Sequence, residues 1–144
     1  MRKIYLLPVV FLIFACNSMQ KTTTNQSEKS ALFTTLYKSD YNGRDETVNL
    51  IIQHQEDLNA LLKAVESEER PTVDFDTNQV IVLFLGQKNS GGYSISIDRV
   101  EEEAGKLNVY KKVQTPQAGE NVTMALTNPL VIAVIHSKKE IHFK

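Results

Sequence analysis

The chain is poor in the residues that staple or punctuate small domains. Its 144 residues include one cysteine, no tryptophan, four prolines and six glycines. A single cysteine excludes an intrachain disulfide, so a folded domain here must stand on its apolar core alone. Charge of either sign is also not in excess: 16 Lys and Arg face 17 Asp and Glu. That balance leaves no basic patch or stripe of the kind that nucleic acid requires, and no nucleic-acid partner is expected. The longest apolar run, Ile4 to Ala15, falls well short of the roughly 20 residues needed to cross a hydrocarbon core.

Catalytic and metal-binding patterns are equally scarce. There is no Gly-x-Ser-x-Gly elbow. The three histidines, His54, His136 and His142, have no cysteine or carboxylate at metal-ligand spacing. His136 and His142 would meet across a C-terminal hairpin, and an enzyme would need a pocket that gathers one of them with an acid. Val73-Asp74-Phe75-Asp76-Thr77-Asn78 opens like a calcium loop, but Gln79 and Leu85 stand where that loop needs a glycine and a terminal acid. Those aspartates are expected to satisfy backbone donors in a helix-to-strand loop. No catalytic residue, metal or cofactor is expected.

The N-terminal stretch does carry a message. Met1-Arg2-Lys3 followed by Ile4 to Ala15 has the layout of a secretory signal, a basic start and an h-region of about 7–15 residues. It ends Ile13-Phe14-Ala15-Cys16, which resembles a bacterial lipobox. The expectation is a signal peptide over residues 1–15, removed before a lipidated Cys16. Two or three acyl chains make a durable membrane anchor, each methylene adding about 0.8 kcal/mol. Loss of Arg2 and Lys3 leaves 14 basic against 17 acidic residues, near −3. Residues 16–30 then read as the lipidated cysteine and a flexible polar tether, since NSMQKTTTNQSEKS has too little apolar surface to order. The expected location is the cell envelope, anchored to a bacterial membrane and periplasm-facing.

Residues 31–144 are expected to form one domain, a size at which a single modest core suffices. Leu32–Lys38 and the β-branched Thr47–Ile52 read as strands around the turn signal Tyr41-Asn42-Gly43. Leu58, Leu61, Leu62 and Val65 fall at i, i+3, i+4 and i+7, one face of a helix over Glu56–Val65, with Pro71 beyond its end. Gln79–Leu85 and Leu130–Ile135 are continuous apolar runs, the mark of strands buried on both faces. Tyr93–Val100 alternates, with one wet face. Glu101–Lys106 reads as an acidic turn, Leu107 to Val113 as a further strand, Thr115–Val122 as a loop, and Ile141 with Phe143 as a short last strand. With no helix between strands after residue 79, antiparallel pairing is expected. The fold class is mainly β (α+β): an antiparallel β-sandwich or partly open barrel of about six or seven strands with one packed helix.

The segment Gly86-Gln87-Lys88-Asn89-Ser90-Gly91-Gly92-Tyr93-Ser94 joins two of the clearest strands. Paired glycines allow positive φ or close approach, and Tyr93 is an amphipathic side chain of the kind enriched at interfaces. Loops held on a rigid scaffold commonly carry binding function. With these residues in view, Pro71 to Phe143 resembles the protease complex subunit family with a PrcB C-terminal domain. The likeness runs through Val73–Phe75, QVIVLFLGQ, SGGYSI at Ser90–Ile95, Thr115-Pro116 and Thr127-Asn128-Pro129. It implies an exported accessory protein that associates with a cell-envelope protease. On that basis Asn89, Ser90, Gly91, Gly92, Tyr93, Pro116, Gly119, Asn128 and Pro129 are the candidate partner-binding residues. The same loop is similar to a loop of chagasin-type protease inhibitors, which have an immunoglobulin-like fold. This chain lacks the tryptophan that follows the tyrosine there, so inhibition is the alternative expectation.

Overall fold

The computed structural model describes residues 32–144. The proposed signal peptide, Cys16, the tether and Ala31 lie outside the described residues.

Seven strands and one helix follow in chain order: β1 Phe33–Ser39, β2 Thr47–Ile52, α1 Gln55–Ala64, β3 Gln79–Leu85, β4 Ser94–Glu103, β5 Lys106–Gln114, β6 Leu130–Ile135 and β7 Ile141–Phe143. They build two sheets, a four-stranded one in the order β1-β6-β3-β2 and a three-stranded one in the order β4-β5-β7. The result is a sandwich without a closed barrel. The apolar runs explain the layering. In β3, Ile81, Leu83 and Leu85 point between the two sheets, where they join Phe33, Ile95, Ile97, Leu107, Val109, Val131, Ala133 and Ile135. Val80, Val82 and Phe84 point the other way, onto Leu58, Leu61, Leu62 and Val65 of α1 and Leu130, Ile132 and Val134 of β6. A strand covered on both faces has no wet position, which is why QVIVLFL and LVIAVI do not alternate.

Helix α1 thus forms a third layer. Burial of Leu58 and Leu62, both fully inaccessible, supplies about 1.5–3 kcal/mol each. The helix stops before Pro71. Glu66 takes φ 54, Ser67 N–H donates to Leu62 O at 2.9 Å, and Glu66 N–H donates to Lys63 O at 3.2 Å. That pair of bonds is a Schellman motif, here built around a glutamate rather than the glycine such a position favours.

Three sequence expectations change. β7 pairs parallel to β5, Leu107 opposite Ile141, so the sheets are not purely antiparallel. It also leaves the sheet of β6, and the hairpin that would join His136 to His142 does not form. Glu101–Glu103 lie within β4 rather than in a turn; the turn is only Ala104-Gly105, with φ 51 and 78. Two positive φ values identify a type I′ connection, whose twist suits antiparallel strands. Finally, β4 slips register between Ile97 and Arg99. Strict alternation would send Arg99 inward; the slip sends Val100 into the core instead.

Candidate functional site

Strand register decides which loops meet. Ser39 pairs with Leu130, Thr47 with Leu85 and Ser94 with Gln114. The loops 40–46, 86–93 and 115–129 therefore gather at one end of the sandwich. The chain comes in from residue 31 at the other end, where Phe33 pairs with Ile135, about 20 Å away along strands of this length.

The loops are bound to one another by main-chain bonds. Lys88 and Thr127 exchange both, at 2.8 and 3.0 Å, and Gly91 N–H donates to Thr123 O at 2.9 Å. The Thr127 hydroxyl donates to Ser90 O at 2.8 Å. Gly43 N–H donates to Asn128 O at 2.8 Å, and Asn128 N–H to Asp40 O at 2.9 Å. The Asn128 side-chain amide reaches Asp45 Oδ1 at 2.7 Å, and Gln87 N–H donates to Asp45 O. Arg44 lies over the Phe84 ring, 5.2 Å from its centroid, a favourable cation–π placement. Backbone groups that a free loop would leave to water are satisfied between loops, so the three form one preorganised surface. One oxygen of Asp40, Oδ1, is buried without a hydrogen-bond partner among the described residues.

Two glycines are required by this packing. At Gly43 a Cβ would lie 2.4 Å from Asn128 O, nearer than any ordinary contact. At Gly92, φ is 83, and a Cβ would press on Val122 and Pro116 at 3.0–3.2 Å.

The nine residues singled out from sequence all lie at this end, with unequal exposure. Asn89, Gly92 and Gly119 are exposed, while Ser90, Tyr93, Pro116 and Asn128 are half-buried. Gly91 and Pro129 are buried. Tyr93 packs against the inter-sheet core, Pro116 lies next to Gly92, and Pro129 O accepts the Leu85 N–H. Asn128 spans two loops. These side chains and carbonyls mainly hold the surface together.

The apolar surface lies on residues that sequence reasoning passed over. Met124 is 90% exposed, Tyr41 59%, Leu126 58% and Val113 46%, and all four belong to this end. Single exposed apolar residues are ordinary; here four of the large exposed ones are gathered at one end of the domain. The signal was present in VTMAL at Val122–Leu126, an apolar stretch too short and too turn-bound to be a core strand. Beside it, the end of β5 and Gln117–Glu120 border an open concavity of about 720 Å³.

Away from this end, His136, His142 and Asp74 are held by neighbouring polar groups. His136 sits between Asn78 Oδ1 at 3.0 Å and the Thr34 hydroxyl at 2.9 Å. His142 meets Glu140 at 2.8 Å, both exposed, and His142 with Lys106 holds the Glu140 carboxyl below its ordinary value. Asp74 accepts from the Thr77 hydroxyl at 2.8 Å and from Asp76 N–H at 3.0 Å, as expected for the loop before β3. Those bonds, the hydroxyl's first, lower its pKa. Among the described residues no three His, Cys, Asp or Glu side chains are placed to hold a metal ion.

Among curated proteins and among solved structures, none matches this chain. A family model does: the one described as PrcB C-terminal matches residues 79–136. That span begins at the first residue of β3, ends just after β6, and contains both the Gly86–Tyr93 connection and the Thr115–Pro129 loop that binds it. Through this segment, the two central strands of the larger sheet and most of the loop end, the chain matches the PrcB C-terminal family.

Proposed function

We propose that this protein is a non-catalytic, lipid-anchored binding module that serves as an accessory subunit of a cell-envelope protease complex. The observation that carries the reading is the loop end. Three loops bound into one surface present Tyr41, Met124 and Leu126 to solvent, at the end opposite to where the chain comes in from residue 31. Preorganisation lowers the ordering cost of association, and an aromatic and a methionine are typical of interface cores. The family match supports a protease-complex partner at a coarse level. The lipobox-like Ile13–Cys16 and the polar stretch behind it support an envelope location, anchored through Cys16 and periplasm-facing, with the loop end directed away from the membrane.

A chagasin-type inhibitor would push a separate loop into a protease cleft. Here Gly91 is buried under Thr123 and the loop is bound along its length, which favours a broad contact surface over a wedge.

The test is co-purification of the tagged full chain from crosslinked native membranes, compared with a Met124→Asp/Leu126→Asp variant of unchanged fold. A protease enriched with the first and lost with the second is the expected result. The same partners with both, or no protease with either, would overturn the proposal.

A further inference from the structure

The two sheets have four edges, and three of them are guarded. β1 carries a register slip between Thr35 and Tyr37 and a lysine, Lys38. β4 carries the slip between Ile97 and Arg99, together with Asp98, Arg99 and Glu101–Glu103. β7 is only three residues long. Bulges, charges and shortness are the usual devices against edge-to-edge pairing. β2 has none of them. Its sequence TVNLII contains no charge and no proline, and it pairs with β3 over six residues without a slip.

The direction of its free backbone groups follows from its neighbours. Leu85 N–H donates to Pro129 O, on the β6 side, so alternate residues of β3 turn towards β6 and Val80, Val82 and Phe84 turn towards β2. Their partners Ile52, Leu50 and Val48 face β3. The N–H and C=O groups of Thr47, Asn49 and Ile51 then point outward, and no main-chain group outside the strand ladders bonds to them among the described residues. On the face away from α1, Ile51 is 42% exposed.

We propose that β2 is a self-pairing edge: a second copy of this chain docks its own β2 antiparallel, across a two-fold axis at Asn49. The join gives a continuous eight-stranded sheet. The occupant follows from the strand's own sequence. Pairing about Asn49 sets Thr47 of each copy against Ile51 of the other, which covers that apolar side chain. No like charges meet on the strand. Asp45 of each copy falls opposite Gln53 of the other and Glu46 opposite Ile52, so the acidic pair meets no like charge. Two-fold, self-complementary contacts are the commonest way that identical chains associate. The contact is short, so a weak dimer is expected, seen at roughly 0.1–1 mM protein.

The full chain tests this with Cys16→Ser, which leaves an introduced cysteine as the only one. Asn49→Cys should form an interchain disulfide under mild oxidation at least about tenfold faster than Gln117→Cys at the loop end. Adding Ile51→Lys, at an exposed side chain, should slow it by about tenfold. Equal rates for the two cysteine variants, or no effect of Ile51→Lys, would overturn the proposal. The unsubstituted chain gives an answer free of folding effects: amide exchange at Thr47, Asn49 and Ile51 should slow as concentration rises. Concentration-independent exchange overturns the idea, and is also what an edge reserved for an extended segment of another protein would show.

Discussion

Gly43→Ala isolates the contact that ties the first loop to the third. The added Cβ would stand 2.4 Å from the Asn128 carbonyl oxygen and 3.1 Å from its carbon. Ordinary contact needs about 3.5 Å, so the two segments must part by about 1 Å. They are not free to do so. Asn128 is held by Asp40 O at 2.9 Å and by Asp45 Oδ1 at 2.7 Å, and Pro129 beside it is tied to Leu85. Overpacking of a held site costs about 1–3 kcal/mol, and the bond from Gly43 N–H to Asn128 O, worth about 1 kcal/mol, weakens as well. The two losses overlap, and about 2 kcal/mol is expected, a fall of roughly 8 °C in Tm for a domain of this size. The sign is diagnostic. At an unconstrained glycine without a positive φ, alanine stabilises by about 0.4–1 kcal/mol through the unfolded chain. Urea unfolding of both forms decides: a lower midpoint at unchanged slope is the expected result. A midpoint equal to or above that of the parent would refute the close approach and the loop packing built on it.

Other outcomes follow from backbone positions that the sequence fills with unusual residues. Glu66→Gly should raise stability by about 0.5–1 kcal/mol, because it relieves a left-handed residue at the Schellman position; thermal unfolding measures it. Ala104→Asn should stabilise by a similar, smaller amount, since asparagine favours the first position of a type I′ turn, and its effect should add to that of Glu66→Gly at this separation. Asp74 has a folded pKa below its unfolded value. Its contribution is therefore present above the ordinary aspartate range and lost as pH falls through the lowered value. Asp74→Asn should therefore lower stability in the neutral region, leave it little changed below the lowered value, and so flatten the acid limb of a stability-versus-pH curve.

Much of the fold was legible because period and burial agree. Leu58, Leu61, Leu62 and Val65 form one buried stripe in the helix, and QVIVLFL and LVIAVI are the two strands that face apolar layers on both sides. What local pattern does not encode was missed. The partner of a three-residue strand is set by where the chain crosses, so the parallel pairing of β7 with β5 has no sequence mark. Glu101–Glu103 looked like a turn because strand propensity is low for glutamate, yet the side chains on an edge strand tolerate charge. The candidate site was half legible. Gly91, Gly92 and Tyr93 pointed, through turn chemistry, to the end of the molecule where the three loops gather. Thr127, 1% exposed, and Asn128 act through bonds to residues 37 and 83 positions away. Separations of that kind are invisible in one sequence. Met124 and Leu126 carry no local pattern that marks them as exposed, and only the fold leaves them in solvent.

The claim that the loop end is the contact surface is tested most directly by site-specific photocrosslinking in living cells. A photoreactive side chain at Met124 should capture one envelope protease, while the same group at Lys138, exposed just after the Phe33–Ile135 end of the sandwich, should not. Capture from Lys138 with none from Met124 would contradict the assignment and place the partner surface at the other end of the sandwich.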